Sequence, residues 1–407
     1  MKIKIQRLSI NELIFFSAYC IYLVISLLNT SFYSKFFMEK IYTLIKLICI
    51  FLLLLNEIIK TKMNLKSLEG LMVAGFIYVI VAYNTSFVSD IVMLLIFVYC
   101  ARDISFEKIA RFTVYISSTI LMFIILSAHT GIIMNYVEIA DNRRREYLGF
   151  RYSLYPSAIM FNITALVLYL KRRHIGIKEI LLLSVMNLFV FYKTNSRLSF
   201  YMAILMICCM VLFQKFPKVL ENSKIVHIGM SISFVLTSIC SVWVMFRYDA
   251  GIEWMRLINE VFNNRLKFGN RSLILYGISM FGKKNMEWIG NGLDSAGNKS
   301  AKTYLWVDNF YISILQRFGI FLTVMIILLL TITMIKCLKI KRYYLMFILT
   351  LMAGHCMIDD LFLYLHYNTF WFAIGAILMM KRVRYKDKLH VKYPIIIRKR
   401  KYMHNTW

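Results

Sequence analysis

Within the stretch NGLDSAGNKSAKTYLWVDNFYISILQRFG (residues 291–319), a carboxylate and an amide stand side by side at Asp308 and Asn309, with Tyr304, Trp306, Phe310 and Tyr311 around them. An acid at the mouth of an apolar helix has two readings. It caps the helix start, which an Asp–Asn pair does well. Or it serves as a general base whose partial burial lifts its proton affinity into a useful range. The rings are either interfacial anchors or platforms for the faces of sugars. Both pairs of readings stay open on the sequence.

Guanidinium groups complete the candidate chemistry. Arg143, Arg144, Arg145 and Arg151 fall in residues 135–156, Arg197 in the turn 192–200, and Arg247, Arg256, Arg265 and Arg271 in residues 247–305. A planar guanidinium grips two oxygens at once, which suits a phosphate diester or a pyrophosphate. A pyrophosphate on a lipid carrier sits at that depth, just above the hydrocarbon. The run Arg143 to Arg145 reads equally well as a solvated loop tip, and Arg197 either faces a vestibule or snorkels to headgroups. In FGNRSLILYGISMF, Leu273, Ile274, Tyr276, Gly277, Met280 and Phe281 predict an amphipathic helix along the outer membrane surface. That reading puts Arg271 at the helix's amino-terminal end, where the dipole also favours an anion. Arg265 ranks behind it as a phosphate contact.

A third group lies in GHCMIDDLFLYLHYN, where His355 and Asp359 are four apart and share a face if the helix continues through them. Asp360 and His366 lie near the following turn. No spacing supplies the further ligands that a metal needs, so partnering an outer-loop arginine is the economical role. Neither a metal nor a cofactor is expected.

The elements that must position these residues are membrane helices. Of 407 residues, 60% are hydrophobic, with a mean hydropathy of +0.64 and three prolines. Continuous apolar runs with short charged punctuation predict an all-α polytopic membrane protein; the lack of alternation excludes a β-barrel. About twelve spans are expected, near 11–29, 41–59, 68–84, 87–101, 109–130, 156–170, 178–192, 198–214, 225–246, 306–335, 343–358 and 361–380. With the amino terminus inside, the short cytoplasmic segments hold most of the 49 lysines and arginines. The positive-inside rule then places both termini in the cytoplasm and leaves 247–305 as a long extracytoplasmic loop. The whole chain reads as one integral membrane domain. The basic tail 381–407 suits anionic lipid better than nucleic acid. The eight cysteines sit in or beside apolar runs as small hydrophobes. The first apolar run follows MKIKIQR and lacks a small-residue cleavage site after it, so it is expected to be retained as a helix.

At TNSR (194–197), GNRS…YGISMF…IGNG (269–292) and VDNFYISILQRFGI (307–320) the chain resembles the Wzy-type polysaccharide polymerases, within the group that includes O-antigen ligases. The resemblance is carried chiefly by residues 190–380. It implies a GT-C-like, metal-independent glycosyltransferase of the bacterial cytoplasmic membrane, joining undecaprenyl-pyrophosphate-linked oligosaccharide repeat units at the outer face. The product would be capsular, O-antigen or exopolysaccharide, and a chain-length regulator and a flippase are the implied partners. Ligases of the group carry His before the Asn, where this chain has Asp308. On this reading Arg197 and Arg271 hold the donor pyrophosphate, and Asp308 takes the proton of the attacking hydroxyl. Arg143, Arg144, Arg145, Arg265, Asn309, Tyr311, His355 and Asp359 are the expected substrate contacts. A flippase or other transporter of the same lipid-linked sugar is the rival, though the unequal halves show no internal repeat. A ligase is the third reading.

Overall fold

The computed structural model describes residues 9–37, 39–60, 65–140 and 143–380. Residues 1–8 of the expected cytoplasmic amino terminus and the basic tail 381–407 lie outside the described residues. The described chain is mostly helical. α1 (Ile10–Asn29) starts from a capping box between Ser9 and Glu12 and packs against α2 (Glu39–Lys60). α3 (Leu65–Asn84), α4 (Asp90–Cys100) and α5 (Phe106–His129) follow, the last two capped by the hydroxyls of Ser89 and Ser105.

A hairpin of β1 (Val137–Ala140) and β2 (Arg143–Glu146) then interrupts the helices. An all-α chain was expected, and this antiparallel pair is the sheet among the described residues. Its register sets Glu138 opposite Arg145, an opposite-charge pair that favours two short strands over a solvated tip.

The second half continues through α6 (Leu154–Lys171), α7 (Ile177–Thr194), α8 (Arg197–Lys215) and α9 (Pro217–Asn222). α10 (Lys224–Ser231) and α11 (Ser233–Phe246) meet at a 53° bend. The long loop carries α12 (Glu253–Val261) and α13 (Arg265–Tyr276), and the chain closes with α14 (Phe310–Lys339), α15 (Tyr343–His355) and α16 (Trp371–Leu378).

Six of these helices are long and apolar enough to cross a membrane, or up to seven if α10 and α11 form one broken span. The protein is therefore a helical membrane protein. Residues 72–84, α4 and α15 are apolar but shorter. The expected span 361–380 is a 3-10 turn at Leu361–Leu363, an irregular stretch, and then the short α16. Apolar composition alone does not mark such a break. α7 matches the expected span 178–192 in position.

Between helices in lipid, packing and polar links replace the hydrophobic driving force. Rings of Phe15, Tyr19, Phe97 and Phe372 interlock α1, α4 and α16 at centroid spacings of 5.1–6.1 Å. α6 is the most enclosed long helix. From it Asn162 Nδ2 donates to Thr369 Oγ1 at 2.9 Å, and its Thr164 accepts from Asn187 Nδ2 on α7 at 2.8 Å.

α14 breaks at Gly319, whose φ of 83° is a left-handed value that glycine tolerates. The loop after α13 fills the break. Ser279 and Met280 carbonyls accept from the Ile320 and Phe321 amides at 3.1 and 3.2 Å, and Lys283 N donates to the Gln316 carbonyl at 3.0 Å. The backbone groups freed by the break are thus satisfied by the loop. Ser272, Gln316 and Trp288 extend the seam: Ser272 Oγ donates to Gln316 Oε1 at 2.8 Å and accepts from Trp288 Nε1 at 3.0 Å. The long loop is therefore built into the helical body beside the first turns of α14.

Candidate functional site

A cavity of about 240 Å³ opens where the start of α6, the glycine turn at 290–292, the approach to α14 and the segment after α15 converge. Arg151, Tyr152, Tyr155, Trp306, Asp308 and Asp360 are among its lining residues. Gly290 and Gly292 pass close by, with a Cβ on Gly290 falling 3.4 Å from the Trp306 ring.

The two polar residues at the head of α14 divide their tasks. Asn309, not Asp308, caps the helix: its Oδ1 accepts from Ile312 N at 2.9 Å, while its Nδ2 donates to Ser241 and to the Met357 carbonyl. Asn309 is fully buried. Asp308 is released from capping and faces the cavity, where Arg265 Nε lies 3.2 Å from its Oδ2. Arg265 also donates to the Ile358 carbonyl, so one guanidinium joins the head of α13, the approach to α14 and the turn after α15. Burial works against the charge of Arg265, but the carboxylates of Asp308 and then Asp359 hold its pKa above the ordinary value.

Asp359 and Asp360 sit in the turn between α15 and the 3-10 helix, outside the long spans. Burial pushes the Asp359 carboxyl up to about 7, against the opposing pull of Arg265. Asp360 is raised first by burial and then by the Asp308 charge. Its Oδ1 accepts from Trp306 Nε1 at 3.4 Å, and its buried Oδ2 has no hydrogen-bond partner among the described residues. Tyr304, beside them, is also raised, by burial and then by Asp308. Three carboxylates thus share a small polar space with the Arg151 and Arg265 guanidiniums.

The other expected site residues fall in three groups. His355 and Asp359 do meet, with His355 Nε2 3.9 Å from Asp359 Oδ2 and the ring stacked on Phe161. The outer-loop Arg265 bonds the Ile358 carbonyl next to Asp359 and acts on the Asp359 carboxyl through its charge, with no salt bridge between the two among the described residues. Tyr311 is fully buried, with its hydroxyl at 2.9 Å from the Ala353 carbonyl and 2.7 Å from Thr237 Oγ1; it ties α14 to α15 and α11 and does not line the cavity.

The run Arg143, Arg144 and Arg145 is absorbed by neighbours. Arg143 donates to Asn263 at 3.3 Å, Arg144 meets Glu146 at 3.3 Å, and Arg145 lies 3.8 Å from Glu138. Arg197 and Arg271 are exposed, line no part of the cavity, and carry no carboxylate partner among the described residues. Arg271 is not at a helix start. α13 begins six residues earlier, after Asn263 and Asn264 adopt left-handed backbone, and ends at Gly277, which leaves Met280 and Phe281 in the loop. The strongly two-faced helix of the loop is instead α12, which exposes Trp254, Leu257, Ile258 and Val261 along one side.

Three residues had no assigned role on the sequence: Arg151 and Asp360, both of which line the cavity, and Arg317. The Arg317 guanidinium lies 4.6 Å from the Trp288 ring centroid and 5.8 Å from that of Trp306, a cation–π arrangement beside Asp360. A signal for it existed, because an arginine within an apolar helix requires a partner. Compared with known proteins, the chain matches no family model, no curated protein and no solved structure.

Proposed function

We propose that this protein is a metal-independent glycosyltransferase of the bacterial cytoplasmic membrane. It extends a polysaccharide from undecaprenyl-pyrophosphate-linked repeat units at the outer face. The observation that carries the reading is the cavity beside α14. It joins carboxylates of raised proton affinity, guanidinium groups and Tyr and Trp rings where a long loop is stitched into membrane helices. Glycosyl transfer needs a group to accept the proton of an incoming hydroxyl and cations to offset charge growing on the leaving diphosphate. The cavity offers the first in Asp308, Asp359 and Asp360. The exposed Arg197 and Arg271, which carry no carboxylate partner among the described residues, are available for the second. The local likeness to Wzy-type polymerases at TNSR, GNRS and VDNFYISILQRFGI supports the same class, as does a set of long apolar helices around the site. The full twelve-span, GT-C-like arrangement and cytoplasmic termini belong to this proposal too.

Deleting the gene from its host and analysing lipid-linked and surface glycans tests the reading. A polymerase-null cell displays single repeat units. Loss of all units from the outer face would indicate a transporter instead, and normal ladders left unattached to their terminal acceptor would indicate a ligase.

A further inference from the structure

We infer that the cavity lined by Trp306 and Asp360 is a subsite for a single uncharged or cationic sugar ring, and that the diphosphate of the donor binds outside it. The charge of the wall is the first reason. Asp308, Asp359 and Asp360 all line the space, against one lining guanidinium, that of Arg151. Arg265 is already held by Asp308 and by the Ile358 carbonyl, and Arg151 Nη2 donates to the Asn29 carbonyl at 2.9 Å. A diphosphate placed here would face three acidic side chains, while the Arg151 and Arg265 guanidiniums already hold protein partners.

The second reason is an acceptor without a donor. Asp360 is 1% exposed, one of its oxygens faces Trp306 Nε1, and the other has no partner among the described residues. Buried polar atoms are nearly always satisfied, and a ring hydroxyl or an ammonium reaching into the cavity supplies what this oxygen lacks. Third, the wall combines such acceptors with aromatic surface from Tyr152, Tyr155 and Trp306, and Tyr155 is itself braced by stacking on Tyr367 at 5.5 Å. Flat apolar faces beside carboxylates match a pyranose, which has C–H faces and hydroxyl edges. At about 240 Å³ the space falls below the roughly 300–1,000 Å³ of sites for larger ligands, so one ring fits and an oligosaccharide must extend out of it.

The role of that ring rests on the transferase reading; its binding does not. As the acceptor, its hydroxyl oxygen bonds to the donor's anomeric carbon. The bond from that carbon to the diphosphate oxygen breaks, the electron pair leaves with the diphosphate, and Asp360 takes the hydroxyl proton.

The test uses the full chain in detergent with no lipid-linked donor. Saturation-transfer NMR is recorded with glucosamine, N-acetylglucosamine and glucuronate, and inorganic pyrophosphate is added as competitor. The expected result is saturable binding of glucosamine or N-acetylglucosamine, weaker binding of glucuronate, and no displacement by pyrophosphate. Asp360→Asn should weaken the bound sugar at least tenfold, and Trp306→Phe should weaken it less than Trp306→Ala. Displacement by pyrophosphate, preference for glucuronate, or no binding of any of the three sugars overturns the subsite. The competition requires no variant, so a substitution that fails to fold does not spoil it. A polymerase that fails this test keeps the proposed function and loses the subsite, whereas a transporter that passes it does the reverse.

Discussion

Arg265 Nε and Asp308 Oδ2 lie 3.2 Å apart across 43 residues of chain, with both side chains largely shielded from solvent. The pair fastens the long loop to the head of α14 and fixes one wall of the cavity. Because Arg265 reaches the Ile358 carbonyl as well, it also sets where the Asp359–Asp360 turn lies.

Removing one partner of such a buried pair strands the other charge, at a cost of about 3–5 kcal/mol. Arg265→Ala should therefore lower the thermal unfolding midpoint of the purified protein markedly and abolish polymer formation. Arg265→Lys should recover only part of the stability, since one ammonium cannot reproduce the guanidinium's two-sided reach. Full recovery by Lys would show that charge alone matters here.

The stitched break in α14 predicts a sharp contrast among glycines. A Cβ on Gly319 would lie 2.4 Å from Gly282 N and from the Met280 carbonyl oxygen, at a φ of 83°. Gly319→Ala should prevent recovery of monodisperse protein. Gly354→Ala, whose Cβ meets nothing within 4 Å, should behave like the parent in size-exclusion chromatography.

Asp359 predicts a dependence of stability on pH. Its carboxyl ionises at 3.8 ordinarily and at about 7 in the folded protein, so folding favours the protonated form. Its contribution is fully present below 3.8 and is withdrawn as pH rises toward about 7, with no further loss above. Thermal midpoints of the parent minus those of Asp359→Asn, recorded from pH 4 to pH 8, should fall over that window. A flat difference would mean that the carboxyl titrates normally.

The outer arginines should separate by their surroundings. Arg197→Ala and Arg271→Ala remove exposed guanidiniums and should raise the donor KM about tenfold, as expected for lost charge-assisted contacts worth ~1.4 kcal/mol or more. Arg144→Ala removes a side chain that is 70% exposed and is paired with Glu146, so donor kinetics should stay within about twofold. Equal effects at all three positions would point to general surface charge.

Much of this site was legible in the sequence as residue types, and little of it as geometry. Asp308 and Asn309 were singled out together because an acid at a helix mouth is unusual. Only the structure separates them, since a hydrogen bond to Ile312 N decides which of the two is the cap. Arg265 ranked behind Arg271 because helical periodicity does not fix where α13 begins, and the left-handed Asn263 and Asn264 move that start. Pairing of 265 with 308, or of 306 with 360, is set by tertiary packing that no local spacing encodes. Hydropathy located the helices but overran their ends, because the Leu and Phe of residues 361–370 extend the apolar pattern past a stretch whose His366, Asn368 and Thr369 go with a 3-10 turn and irregular backbone. The charged strands Val137–Ala140 and Arg143–Glu146 were read as an arginine run because their pairing glutamates lie on both strands.

The most direct measurement is reconstitution of the purified chain in nanodiscs with its host's lipid-linked repeat unit and a chelator. Products are read as glycan length together with released undecaprenyl pyrophosphate. The predicted result is a ladder of glycans with one lipid diphosphate freed for each repeat added, lost in Asp360→Asn. Release without elongation, or a ladder that survives Asp360→Asn at the parent's rate, would contradict it.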